Sequence, residues 1–176
     1  YISLEQDVVL ANNWWTEVSK YINEEKVAAV GGCRLANHPV LRALDEYRLE
    51  SGSGGGIFDN GLFKSDIIRK VVGRVPIELR YVGVDSYIFT KIIKAGYKLI
   101  RLKHVISTHI RCGLRSNLGR DYAYGFWGTT SEKFLETKMK YRMILIFLNS
   151  PLKALEVSLK KKKPLILLYY PLKRFV

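Results

Sequence analysis

Glu5 and Asp7 stand one residue apart, after the apolar opening Tyr1-Ile2-Ser3-Leu4 and before Val8-Val9-Leu10. Side chains two apart on a strand share a face, so the sequence predicts a strand end that projects both carboxylates to one side. Hard oxygen ligands in that arrangement suit Mg²⁺ or Mn²⁺ held against a phosphate. The same acids also suit a solvated turn, and these ten residues leave both readings open. Asp85 opens a helical stretch, a position where Asp caps helices. His109 closes the apolar segment Val105-Ile106-Ser107-Thr108 and reads as a strand-end histidine, and Arg111 and Arg115 follow it. Those two arginines suit either a bidentate grip on phosphate or a solvated loop.

The elements that must position these groups read as an α/β pattern. Asn12-Asn13 precedes Trp14, Val18, Tyr21 and Ile22 at helical spacing, which predicts a capped amphipathic helix. Val27-Ala28-Ala29-Val30-Gly31-Gly32-Cys33 is short, apolar and glycine-rich, which predicts a strand. A helix is predicted over 39–50, and Ser51-Gly52-Ser53-Gly54-Gly55-Gly56 then reads as a flexible connector or a mobile substrate loop. Residues 83–99 predict a helix that Gly96 ends in a left-handed turn, followed by a strand. Strand, helix, strand order suits a mixed α/β sheet. The stretch from Gly119 to Leu135, with Tyr122, Tyr124, Phe126, Trp127 and Phe134, predicts an aromatic helix that packs on the sheet or borders an acceptor groove.

Taken in order, these stretches resemble glycosyltransferase family 2. Glu5-Gln6-Asp7 stands where that family carries an acidic DxD-type motif at a strand end, Trp14-Trp15 where it has a tryptophan helix, and Val30-Gly31-Gly32 where its next strand closes. Phe58-Asp59-Asn60-Gly61-Leu62-Phe63 and the helix to Gly73 are similar to its substrate-facing loop. Gly83-Val84-Asp85 is similar to the start of its Glu-Asp helix, and Val105 to His109 to its strand ending in histidine. Two positions differ from the pattern: Glu5 replaces Asp, adding a methylene, and Val84 replaces a Glu that commonly helps to hold the acceptor.

The resemblance implies the C-terminal part of a GT-A (Rossmann-like) mixed-sheet domain over residues 1–135, its acceptor and metal side. A helical, basic and apolar tail would follow over 136–176. It implies an inverting transferase that moves a sugar from a nucleotide-sugar donor to the hydroxyl of a glycan or lipid-linked acceptor. Asp85 would be the catalytic base, Asp7 with Glu5 and His109 would hold Mg²⁺ or Mn²⁺, and Asn60 and Gly61, with Arg111 and Arg115, would face donor or acceptor. Family members first build a nucleotide-binding half from βαβ units, so the chain reads as a piece of a longer enzyme.

Composition agrees with a folded chain, since 48% hydrophobic and 26% charged residues over 176 positions exclude the disordered class. Cys33 and Cys112 show neither metal spacing nor a disulfide pattern. The formal net charge of +13 favours anionic partners. It concentrates toward the end, with the run Lys160-Lys161-Lys162-Lys163 between the apolar stretches 143–148 and 165–170. Those stretches fall short of the about 20 residues that span a bilayer, so the tail reads as either membrane-interfacial or a solvated linker beside core helices. The expected location is cytoplasmic, at the inner face of the cell membrane. No motif for specific nucleic-acid recognition is present. The competing functions are a non-catalytic basic module binding membrane or nucleic acid, and a transferase-like protein without activity.

Overall fold

The computed structural model describes residues 1–52, 57–79, 83–135 and 139–175; the glycines of the predicted flexible stretch at 54–56 lie outside them. The protein is α/β, built on a five-stranded mixed sheet. Its strands are β1 (Ile2–Leu4), β2 (Val8–Val9), β3 (Val27–Ala36), β4 (Asn60–Phe63) and β5 (Lys98–His109), in the order β1-β4-β3-β5-β2. β3 and β5 run parallel, and each remaining pairing is antiparallel.

β3 is central and buried on both faces, which explains a run of small and branched residues without polar alternation. It continues past the expected Cys33 because Arg34, Leu35 and Ala36 pair with Ser107, Thr108 and His109. Between Gly32 and Cys33 the register shifts, with Lys103, His104 and Val105 inserted opposite. A Cβ on Gly32 would lie 2.6 Å from the Val105 carbonyl oxygen, so glycine is what lets the bulge close.

Two expectations are corrected here. Glu5 and Asp7 do not share a strand face: β1 stops at Leu4, and Glu5-Gln6-Asp7 form the turn into β2, with Val8 N donating to Glu5 O at 3.1 Å. The turn is pinned on both sides, by Glu5 N donating to Asp59 O at 3.0 Å and Ile110 N donating to Asp7 O at 2.7 Å. The predicted substrate-facing loop is also a strand in part. Asn60 to Phe63 form β4, hydrogen-bonded to β1 on one side and β3 on the other. Gly61 serves close packing there, since a Cβ would sit 2.0 Å from Ile57 O.

Helices cover the sheet. α1 (Trp14–Val18) is shorter than predicted and passes into a 3₁₀ turn at Ser19–Tyr21, leaving Ile22 exposed. Its Trp14 and Val18 are buried with Val27, Val30, Leu102 and Val105. On the opposite face, α3 (Ser65–Val71) and α4 (Val84–Lys94) bury Ile67, Ile88 and Ile92 against Ala28. α2 (Pro39–Glu50) shares a third core with α7 (Ser150–Lys161) and α8 (Ile166–Phe175), through Leu41, Leu44, Tyr47, Val157, Ile166 and Tyr169. α5 (Leu114–Leu135) and α6 (Met139–Leu148) join the sheet to that pair.

The aromatic helix is α5, but Tyr122 and Tyr124 are exposed rather than core residues; the side chains of Phe126, Trp127 and Phe134 lie outside the described set. The lysine run does not act as one patch. Lys160 and Lys161 turn onto α2, pairing with Glu50 at 3.4 and 2.5 Å, and Lys162 takes a left-handed turn (φ 52°) that ends α7. Among the described residues no helix is long and apolar enough to cross a membrane.

Candidate metal centre

The turn after β1 and the carboxyl end of β5 bring Glu5, Asp7 and His109 together, with one potential ligand atom from each lying within 4.8 Å of the others. Two short pairings do this. Val8 pairs with His109 and Val9 with Thr108, so β2 carries Asp7 to the histidine. His109 Nε2 lies 2.9 Å from Asp7 Oδ2 and 3.5 Å from Glu5 Oε2. The imidazole is 1% exposed while both carboxylates are partly open to solvent, so the group has a buried floor and an accessible mouth.

Arg34, the one partly exposed residue of β3, stands at the centre of the group. Its Nη1 donates to Glu5 Oε2 at 2.9 Å and to His109 Nδ1 at 2.5 Å, and its Nε pairs with Asp59 Oδ2 at 2.5 Å. An arginine guanidinium is a permanent donor, so Nδ1 is the accepting nitrogen and the ring proton sits on Nε2, donated to Asp7. Burial, reinforced by the Arg34 charge, pushes the His109 pKa down to about 4, against the pull of Asp7. The ring is therefore neutral near pH 7. Asp59 moves the other way: burial raises it to about 6, Arg34 opposes this, and Glu5 and Asp85 add to the rise.

This donor set, two carboxylates and a neutral imidazole, fits a divalent cation. Nε2 is the ring nitrogen on the carboxylate side, so a cation bound there takes the place of the proton now shared with Asp7. Nδ1 would then carry the ring hydrogen, which Arg34 cannot accept. Cation binding at Nε2 and the Arg34–His109 hydrogen bond are thus alternatives.

Asp85 lies in the first turn of α4, exposed, with Oδ1 accepting from Ser86 N at 2.8 Å. The capping position belongs to Gly83, whose φ of 93° is left-handed, so the N-cap reading of Asp85 is corrected. Asp85 comes near enough to Asp59 to raise its pKa. Asn60 and Gly61 are buried in β4: Asn60 Nδ2 donates to Cys33 O at 3.2 Å, and the Asn60 backbone oxygen accepts from Trp14 Nε1 at 2.8 Å. Arg111 is half-buried beside His109, while Arg115 is exposed on the first turn of α5.

Sequence reasoning missed Arg34 and Asp59. Arg34 was marked by being the only charge in the ten residues of β3, directly after Gly31-Gly32-Cys33. Asp59 stands directly before Asn60-Gly61, whose turn chemistry hides its place just ahead of β4. No protein-family profile and no curated protein matches the chain.

Proposed function

We propose that the chain is the acceptor and metal side of a GT-A type, inverting glycosyltransferase of the family 2 kind, with Mg²⁺ or Mn²⁺ at Glu5, Asp7 and His109. The observation that carries this reading is the meeting of those three residues, Asp7 and His109 being 102 positions apart in sequence, with Asp59 joined to them through Arg34. When bound, the cation supplies charge stabilisation to a nucleoside diphosphate leaving group.

The chain's own residues do the rest. Asp85, exposed and preceded by a glycine turn, accepts the proton of the acceptor hydroxyl, a role worth typically about 10² to 10⁴ in rate. Arg34 holds Glu5 and Asp59 in place and offsets part of their charge. Arg111 and Arg115 offer donors to phosphate oxygens. The acceptor would be a glycan or a lipid-linked sugar, reached at the inner face of the cell membrane. In support of that location, Leu152, Leu155 and Leu159 on α7 and Leu168 and Leu172 on α8 are exposed apolar side chains, with Lys162 and Lys163 next to them.

A second reading is favoured by Arg34. It already pairs with Glu5 and Asp59, as it would in a transferase-like protein without activity. One experiment separates the two: incubate the full-length protein with a panel of nucleotide sugars and Mn²⁺ or Mg²⁺, and follow release of nucleoside diphosphate alongside Mn²⁺ titration. Cation-dependent release supports the transferase. Absence of both Mn²⁺ binding and release supports the inactive form.

A further inference from the structure

A cavity of about 430 Å³ opens beyond the carboxyl ends of β3 and β5, between α2, α5 and α8. It lies against Arg34 and His109 but on the side away from Glu5 and Asp7, neither of which lines it. Six basic side chains border it, Arg34, Arg48, Arg111, Arg120, Lys173 and Arg174, against two carboxylates.

Both carboxylates are committed. Asp121 accepts from Lys173 at 2.9 Å and from Asn117 Nδ2 at 2.9 Å. Asp45 accepts from Ala36 N at 3.0 Å. Positive charge is left over. Arg120 Nη2 donates to Asn117 Oδ1 at 2.6 Å, but its buried Nε has no hydrogen-bond partner. No carboxylate among the described residues pairs with the Arg111 guanidinium. A buried guanidinium N–H without an acceptor is a rarity that calls for one. The crowding has a second sign: burial and the neighbouring Arg48 hold the Lys173 ammonium below its usual range.

We propose that this cavity is a binding site for a phosphomonoester or terminal diphosphate group. Arginine forks match the paired oxygens of phosphate, and two reach the space from different elements, Arg111 after β5 and Arg120 on α5. Leu41, Leu44 and Ile146 form an apolar part of the wall, which suits a phosphate that carries an organic group. A small neighbouring cavity of about 100 Å³ shares Arg111, Asn117 and Arg120 and reaches Asp7. The cavity shares Arg111 with the function proposed above but needs neither metal nor transferase activity to bind its anion, so binding in EDTA tests it separately.

The test is calorimetric titration of the whole chain, in EDTA and at fixed ionic strength, with inorganic phosphate, glycerol phosphate and sodium chloride as probes. Glycerol phosphate should bind more tightly than chloride, and Arg120→Gln should weaken it at least about tenfold, the loss expected for a charged hydrogen bond. Arg111→Gln should weaken it similarly. That side chain has no carboxylate partner to lose, so this variant decides the matter if Arg120→Gln fails to fold. Arg69→Gln, on the exposed side of α3, should bind as wild type.

Vesicles of phosphatidylcholine with and without phosphatidic acid distinguish the source of the phosphate. Arg111-dependent capture by phosphatidic acid vesicles identifies a lipid headgroup, and Arg111-dependent binding of glycerol phosphate without capture identifies a soluble ester. Phosphate esters that bind no better than chloride and no capture by phosphatidic acid vesicles, or unchanged binding in Arg111→Gln, overturn the proposal.

Discussion

Arg34 and His109 form a wall between two spaces of opposite sign. On one side stand Glu5, Asp7 and Asp59; on the other, Arg48, Arg111, Arg120, Lys173 and Arg174 outnumber Asp45 and Asp121. The acids arrive on backbone turns at the sheet, between β1 and β2 and ahead of β4. The bases arrive mostly on helices that pack across the strand ends. A formal charge of +13 therefore says little about either space, because the topology sorts the charges. On the proposals above, the acid side would hold a cation and the basic side an anion, with one arginine–histidine pair common to both.

The largest expected effect falls on the acid side alone. Asp7→Asn removes a ligand from the cation group, and transfer by the full-length protein should fall by at least about 10³, since the metal's contribution is several kcal/mol. Circular dichroism should stay native. Retained activity with an unchanged Mn²⁺ response would remove Asp7 from the site. Asp85→Asn should lower turnover by at least about 10² while donor binding persists. Because Gly83 does the capping, the thermal stability of this variant should hardly move. Normal turnover would end its assignment as base.

The wall itself is open to a pH test in EDTA. Between 6.5 and about 4 the unfolded chain carries a proton on His109 that the folded one refuses, so through this residue acid favours unfolding. Asp59 acts oppositely: between about 6 and 3.8 the folded carboxyl keeps a proton that the unfolded one releases, so acid favours folding. The two slopes offset each other. Asp59→Asn should expose the histidine slope, a loss on the order of 3 kcal/mol from pH 7 to 4. His109→Gln should show stability rising over the same interval relative to wild type. Chemical denaturation at several pH values reads both, and parallel curves for the three proteins would refute the opposed titrations.

A smaller effect is expected from Arg34→Gln. Removing a fixed cation 2.9 Å from the Glu5 carboxylate should strengthen Mn²⁺ binding at least about tenfold, read by titration, because metal and guanidinium would compete for His109. Weaker binding would mean that Arg34 serves the metal group rather than opposing it. Smallest is the tail. Lys162→Ser with Lys163→Ser should reduce partitioning onto anionic liposomes by about 1 kcal/mol for each lysine near the surface, and only at low salt. Equal sedimentation of variant and wild type would remove the electrostatic part of the membrane reading.

The sequence made some of this readable and hid the rest for physical reasons. His109 was legible because it ends an apolar strand, which delivers its last side chain to a sheet edge, and Asp7 because it borders the apolar pair Val8-Val9. The way they meet was not, since a three-residue turn and a two-residue strand leave no periodic signal. Asn60-Gly61 carries turn chemistry on its face, yet it lies inside a strand because Gly61 fits a gap with no room for a side chain. Arg34 sat in a run so apolar that a lone charge drew no role. The tail lysines looked like one patch because adjacent helical residues point about 100° apart, which sequence order alone conceals.

β2 has a consequence for how any cation is held. His109 and Arg34 belong to β5 and β3, the two strands joined by the longest ladder of the sheet, whereas Asp7 reaches the centre through a two-residue edge strand. One potential ligand thus sits on a long ladder, while the other depends on two strand residues and the backbone hydrogen bonds that pin its turn. Fixing a residue's backbone costs about 1 to 2 kcal/mol. A cation bound here would depend on how well that short edge is held as well as on the charge of the carboxylates, so a change that steadies β2 should tighten its binding without touching a ligand.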